Sequence, residues 1–321
     1  MSMHLVARAR KTALALVSSS LLLGASLSHA AFSQMVSFGD SLSDVGNVFL
    51  ASGGTNPPAP YVGGQFSNGD TWNEYLATSL GIAAPTPSVT GGTGNAFGGA
   101  RTLVTGASPS VQDQVNGYLA ANSGSADPNA IYTLWMGGND VNYAVATNDF
   151  GAVNVAANGV AALAQQLINA GAQSLLVVNL PNIGITPLGQ NSGNPAGATF
   201  LSSSFNATMA AALAGVTGGN IEILDAFAIT TNVVANPAAF GLTNVVDPCF
   251  DGVATVCANP NEYLFWDELH PTTYAHSLVA AEALPLANNL MAAAIPVPAA
   301  AWLFGTAMIG LAGARAKRAA A

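Results

Sequence analysis

The sequence predicts an α/β domain in which a parallel sheet carries helices on both faces. Two observations point there. Short apolar runs recur down the chain, separated by longer stretches with helical periodicity, and that alternation marks strand–helix–strand units. The runs are continuously apolar rather than alternating, as strands buried on both faces require. Residues 34–37 form the first run, 131–136 the second, 174–179 the third and 221–224 the fourth.

The helical stretches follow from period and punctuation. Residues 70–80 place Trp72, Tyr75, Leu76 and Leu80 on one face. Ser110 is placed to cap a helix over 111–119. Residues 152–169 form an Ala-rich helix with Leu163, Leu167 and Ile168 inward, stopped at Gly171. Pro271 suits the first position of a last helix that reaches about Met291. Residues 52–64, 86–95 and 189–197, rich in Asn, Gly and Pro, are loops. There is no internal repeat and no linker strong enough to divide residues 31–294, which are expected to form one domain between two tails.

Those tails carry most of the cations. Arg8, Arg10 and Lys11 precede an apolar stretch over 14–27, and Ser28-His29-Ala30 offers small residues before a cut after Ala30. Residues 1–30 therefore read as a secretory signal peptide, the apolar stretch being short for spanning ~30 Å of hydrocarbon. At the other end Ile295-Pro296-Val297-Pro298 leads into an uncharged run with Trp302, Leu303, Phe304 and Ile309, then Arg315, Lys317 and Arg318. An apolar span with a basic end should leave that end in the cytoplasm. Residues 295–321 resemble the PEP-CTERM sorting signal of Gram-negative bacteria, with Pro296-Val297-Pro298 standing for Pro-Glu-Pro. The resemblance implies a transient membrane anchor, an exosortase-type processing enzyme, and release to the cell surface or extracellular matrix.

Between the tails all sixteen acidic residues face a single cation, Arg101. Without Lys or Arg to neutralise phosphates, nucleic-acid binding is excluded as a function class. No Gly-x-x-x-x-Gly-Lys-Ser/Thr run supports a nucleotide. The charged fraction, 7%, is far below the ~25% of ordinary domains. Cys249 and Cys257, an even pair in an exported chain, suggest a disulfide; with no further Cys or His set nearby they are not a zinc site.

The chemical residues fall into four stretches. Ser41, in Phe38-Gly39-Asp40-Ser41-Leu42, follows the first strand, so it stands at the carboxyl end of the sheet, where α/β folds bind ligands. A hydroxyl nucleophile needs a base and an orienter. After signal cleavage only His270 and His276 remain. His270 has Asp267 three residues earlier, a spacing that lets the carboxylate meet Nδ1 and leaves Nε2 for Ser41; His276 is expected at the surface of the last helix. Oxyanion donors are available from the loop Asn95-Ala96-Phe97-Gly98-Gly99-Ala100-Arg101, where glycine admits close backbone approach, and from Asn139 in the loop Gly137-Gly138-Asn139-Asp140. Asp40 and Asp44 could form a glycosidase pair, though Asp40 is more simply part of the nucleophile turn. Asp247, Asp251 and Glu262 lack a calcium-loop pattern, and Arg101 suits a structural ion pair.

Phe38-Gly39-Asp40-Ser41, the Gly99 loop, Gly138-Asn139-Asp140 and Asp267-Glu268-Leu269-His270-Pro271 resemble, in order, the four blocks of the GDSL/SGNH hydrolase family. The match spans about Val36 to Pro271. It implies a flavodoxin-like three-layer α/β/α sandwich, with Ser41 as nucleophile and oxyanion donor, Gly99 and Asn139 as further donors, His270 as base and Asp267 as its orienter. Between Gly98 and Gly99, the neighbours Ala100-Arg101-Thr102 favour Gly99. Ser67-Asn68-Gly69 with Trp72, and Asn179-Leu180-Pro181 with Pro187, resemble the secreted lipase and thermolabile-haemolysin branch, which the two cysteines also suit. The expectation is a secreted esterase or lipase acting through an acyl-enzyme, with no metal or cofactor. An acetyl-esterase acting on surface polysaccharide, and a non-catalytic matrix protein on an esterase fold, are the alternatives.

Overall fold

A computed structural model describes residues 31–294 of the 321-residue chain; the signal, the Ala30 cleavage site and the sorting tail lie outside the described residues. The elements run β1 (Met35–Gly39), α1 (Asn47–Ala51), α2 (Trp72–Ser79), α3 (Val111–Ala121), β2 (Ile131–Trp135), α4 (Gly138–Thr147), α5 (Gly151–Asn169), β3 (Ser174–Val178), α6 (Pro187–Asn191), α7 (Pro195–Leu213), β4 (Asn220–Leu224), α8 (Ala226–Ala235), β5 (Asn244–Pro248), β6 (Tyr263–Phe265) and α9 (Thr273–Ala294).

The first four strands pair in the order β1-β2-β3-β4, all parallel, with Phe38 opposite Leu134 and Leu134 opposite Val177. On the free edge of β1, Ser37 pairs with residues 93–95: its N–H donates to the Thr93 carbonyl and its carbonyl accepts from the Asn95 N–H. That segment takes the place of a strand second in the chain, so the spatial order is the flavodoxin-like 2-1-3-4-5. β5 and β6 form a separate parallel pair.

Side chains alternate across the sheet and fill two cores. Val36, Phe38, Tyr132, Leu134, Leu175 and Val177 meet residues of α3, α4, α5 and α7. Met35, Ile131, Trp135, Leu176 and Val178 face the other way, onto α2 and α9. Three layers result because both faces of β1, β2 and β3 are wholly buried. β4 is the edge strand and is only partly covered.

Several boundaries differ from expectation. The last helix starts at Thr273, not Pro271, because Pro271 is held in a bridge to Phe265. Residues 189–197 are only partly loop, containing the end of α6 and the start of α7. Asn194 caps α7 through the Gly197 N–H and Pro195 takes its first position. Gly138-Asn139-Asp140 opens α4 rather than lying in a loop, Gly137 turning into the helix at φ 110°. His276 is buried, not on the surface. Burial, with the His270 charge as a lesser cause, pushes its imidazole down to about 3 and keeps it neutral. Ser110 caps α3, accepting from the Asp113 N–H at 3.1 Å, and α5 ends before Gly171, whose φ is 119°.

Candidate active site

Gly39 ends β1 against β2 so closely that a Cβ there would lie 2.2 Å from the Trp135 carbonyl oxygen. Buried Gln114 on α3 clasps the same residue, donating to its carbonyl (2.8 Å) and accepting from its N–H (3.0 Å). The chain then turns at Asp40, whose carboxylate accepts the Leu42 N–H (3.1 Å), and presents Ser41 at the end of the sheet. Burial pushes the Asp40 carboxyl up to about 7 against the lowering pull of the Leu42 N–H and the His270 charge.

Ser41 meets residues more than two hundred positions away. His270 Nε2 lies 2.8 Å from Ser41 Oγ, and Nδ1 lies 2.7 Å from Asp267 Oδ2. Asp267 Oδ1 accepts the N–H groups of Leu269 and His270, each at 2.7 Å, and Oδ2 also accepts the Tyr61 hydroxyl at 2.6 Å. Burial opposes ionisation of Asp267, but the His270 charge and these donors prevail and bring it down to about 2. Phe66 lies over the His270 ring at 5.4 Å. Tyr61 is itself wedged edge-on among Phe66, Phe250 and Trp266.

The segments that carry the expected oxyanion residues are held by a second set of bonds. Asp44 is buried and receives the N–H groups of Gly46, Asn47, Val48 and Gly98. Gly98 has thus committed its N–H, whereas among the described residues neither the Gly99 nor the Ser41 N–H donates to a protein acceptor. Gly99 has φ 80°, the left-handed region that glycine occupies without cost. Asn139 Nδ2 donates to the Ala100 carbonyl at 2.9 Å, so α4 and the Gly99 loop are tied together, and one amide proton of Asn139 is left over. Asp140 accepts from the N–H and hydroxyl of Thr102, both at 2.9 Å.

Ser41, Asn139 and His270 line one cleft with Leu180, Ile183 and Leu264; Gly99 is outside that lining, one residue from the carbonyl that Asn139 holds. The enclosed space is about 70 Å³ and its walls are mostly apolar, with Asn142, Asn182, Thr186 and Thr230 among them. Asp40 and Asp44 are not a pair facing a substrate, since Asp44 spends its oxygens on backbone donors. Arg101 makes no ion pair among the described residues; its guanidinium lies 4.2 Å from the centre of the Tyr143 ring. Among those residues there is also no group of three or more His, Cys, Asp or Glu that could hold a metal ion.

Tyr61, Phe66 and Gln114 are site residues that sequence reasoning missed. Tyr61 lies in a segment read only as loop, and its one local signal was an aromatic pair, Tyr61 and Phe66, just before Ser67-Asn68-Gly69. That motif anchors the histidine segment: the Ser67 hydroxyl donates to the Pro271 carbonyl and Asn68 accepts the Thr273 N–H. Cys249 and Cys257 are bonded and close the loop that carries Phe250 against Trp266.

An α/β sandwich with a serine, a histidine and a carboxylate in hydrogen-bonded sequence at the carboxyl end of its sheet defines the serine-hydrolase class of site. The family model for GDSL-like Lipase/Acylhydrolase matches residues 35–283, and the chain belongs to that family. It is 31% identical over 284 residues to the thermolabile hemolysin of Vibrio parahaemolyticus, covering 80% of this chain and 64% of that protein. It is likewise 31% identical over 297 residues to esterase EstA of Pseudomonas aeruginosa, covering 78% of this chain and 46% of the relative. The chain thus spans less than two-thirds of the length of these curated relatives. A solved G-D-S-L family structure from Veillonella parvula superposes with a TM-score of 0.47 at 15% identity, over 80% of this chain and 99% of that one.

Proposed function

We propose that the protein hydrolyses carboxylic esters through an acyl-enzyme on Ser41. The observation that carries the reading is the continuous chain from Ser41 Oγ through both nitrogens of His270 to Asp267, at 2.8 and 2.7 Å. His270 Nε2 takes the hydroxyl proton as Ser41 Oγ bonds to the ester carbonyl carbon. The oxygen of the tetrahedral intermediate is held by the N–H groups of Ser41 and Gly99 and the spare amide proton of Asn139, each such donor contributing roughly 3–4 kcal/mol in the transition state. Collapse breaks the carbon–alkoxy bond, and the His270 proton goes to the departing alcohol. Water, losing a proton to His270, then attacks the acyl-enzyme and frees the acid and Ser41. Asp267 stays ionised throughout and stabilises the imidazolium. None of these steps calls on a metal or cofactor.

The largely apolar cleft supports an ester with an apolar acyl group. Export to the cell surface, with removal of residues 1–30 and exosortase-type processing of 295–321, is part of the proposal. It is supported by the two terminal sequence patterns and by the disulfide, which needs an oxidising compartment. No helix among the described residues is long and apolar enough to cross a membrane.

The test is hydrolysis of p-nitrophenyl butyrate by the wild type, S41A and H270A, beside labelling by a fluorophosphonate. Wild-type turnover with loss of at least 10³-fold in each variant is expected. Undiminished activity in both variants refutes the mechanism; a folded wild type that neither turns over nor labels at Ser41 favours the non-catalytic matrix protein.

A further inference from the structure

We propose that the preferred substrate is an uncharged ester with two hydrocarbon arms, and that its second arm lies in an apolar groove beside the active-site cleft. The inference rests on the esterase reading and adds the substrate class and a second binding site.

The cleft around Ser41 encloses about 70 Å³, room for one narrow arm. Next to it a groove of about 710 Å³ runs between α4, the turn before α5, α6 and α7. The two adjoin, with Asn142 and Ile183 lining both. The groove wall carries Val145 on α4, Phe150 in the turn, Leu188 on α6 and Phe200 on α7. These side chains stand open: Phe200 is 68% exposed and Phe150 52%. Adjacent exposed apolar side chains in a concavity mark a binding surface, whereas scattered ones do not.

The chemistry of the lining selects the occupant. Among the described residues no Lys, Arg, Asp or Glu lines the groove, so none of them there holds a charged headgroup. Asparagines 142, 148, 191 and 194 supply only uncharged amides among the apolar side chains. An ester whose carbonyl sits at Ser41 has one arm in the cleft, and the other is led past Ile183 into the groove. Single-chain esters leave the groove solvated; two-armed esters bury both surfaces. Each methylene removed from water there strengthens binding about fourfold.

The experiment measures kcat/KM for a short 1,2-diacylglycerol and for p-nitrophenyl acetate in the wild type, L188D, F200D and V253D. Val253 is 85% exposed and outside both cavities, so V253D reports the effect of an added surface charge. The ratio of diacylglycerol to acetate activity is expected to fall at least tenfold in L188D and F200D and to stay at the wild-type value in V253D. Acetate turnover in the same samples reports folding. An unchanged ratio in both groove variants overturns the proposal. If the wild type hydrolyses no ester, the esterase reading has failed; binding of a 1,2-dialkylglycerol ether then decides the groove separately. Tighter binding to wild type than to L188D supports it, and equal binding refutes it. A wild-type dimer that L188D dissociates would assign the groove to a second copy of the chain and also overturn the proposal.

Discussion

Replacing Tyr61 by Phe removes one oxygen and leaves the ring packed among Phe66, Phe250 and Trp266. That oxygen donates to Asp267 Oδ2, the same atom that faces His270 Nδ1. A hydrogen bond to a charged group contributes about 1.5–3 kcal/mol. Asp267 keeps three other donors, the N–H groups of Leu269 and His270 and the ring N–H. The expected loss is therefore toward the lower end, about 1–2 kcal/mol, which lowers kcat/KM roughly 5- to 30-fold. The loss should fall on kcat, with KM little changed, because Tyr61 lies outside the cleft lining and acts through Asp267. Stopped-flow or plate assays of p-nitrophenyl butyrate separate the two constants. A Y61F enzyme with wild-type kcat would refute a positioning role for the hydroxyl, as would a loss confined to KM.

Asp40 gives a stability prediction. Its folded-state carboxyl titrates at about 7, raised by burial from 3.8. Between those values the native state binds more protons than the unfolded chain, so this group makes stability fall as pH rises. D40N removes the slope: urea unfolding at pH 4 and pH 8 should show the variant gaining on the wild type by up to about 4 kcal/mol at the higher pH, and parallel pH curves would contradict it. Gly98 gives a packing prediction. A Cβ there would lie 2.2 Å from the Phe66 ring, which covers His270. G98A should therefore lower kcat at least tenfold with a loss of about 1–3 kcal/mol in stability, as overpacking costs; wild-type kcat would show that Phe66 moves freely.

Much of the fold was legible because buried parallel strands must be continuously apolar. The runs at 131–136 and 174–179 coincide with β2 and β3 to within a residue. β5 gives no continuous apolar run because Asn244, Asp247 and Pro248 flank its two valines and it is largely uncovered, and β6 is only three residues long. α7 is hard to read from sequence because Ala, Ser, Thr and Asn fill it and its Asn-, Gly- and Pro-rich start reads as loop; Ala198, Leu201, Phe205, Met209 and Leu213 fix it to the sandwich. His276 was misplaced for a related reason: a histidine in a helix says nothing of which face it occupies until the helix is docked.

The sequence by itself determined the chemistry available to this protein. A chain with one competent histidine, an aspartate three residues before it and a serine after a buried strand has few other ways to build a nucleophile. It also determined the parallel sheet, since only strands covered on both faces read that way. Only the tertiary structure decided what surrounds those groups. Tyr61 reaches Asp267 across 206 positions, Asp44 withdraws the Gly98 N–H and leaves that of Gly99, and Ile183 lines both the narrow cleft and the wide groove. These are relations between loops whose local sequence obeys turn chemistry alone. Their mutual placement is set by packing around the shared core, which acts between residues that no local pattern connects.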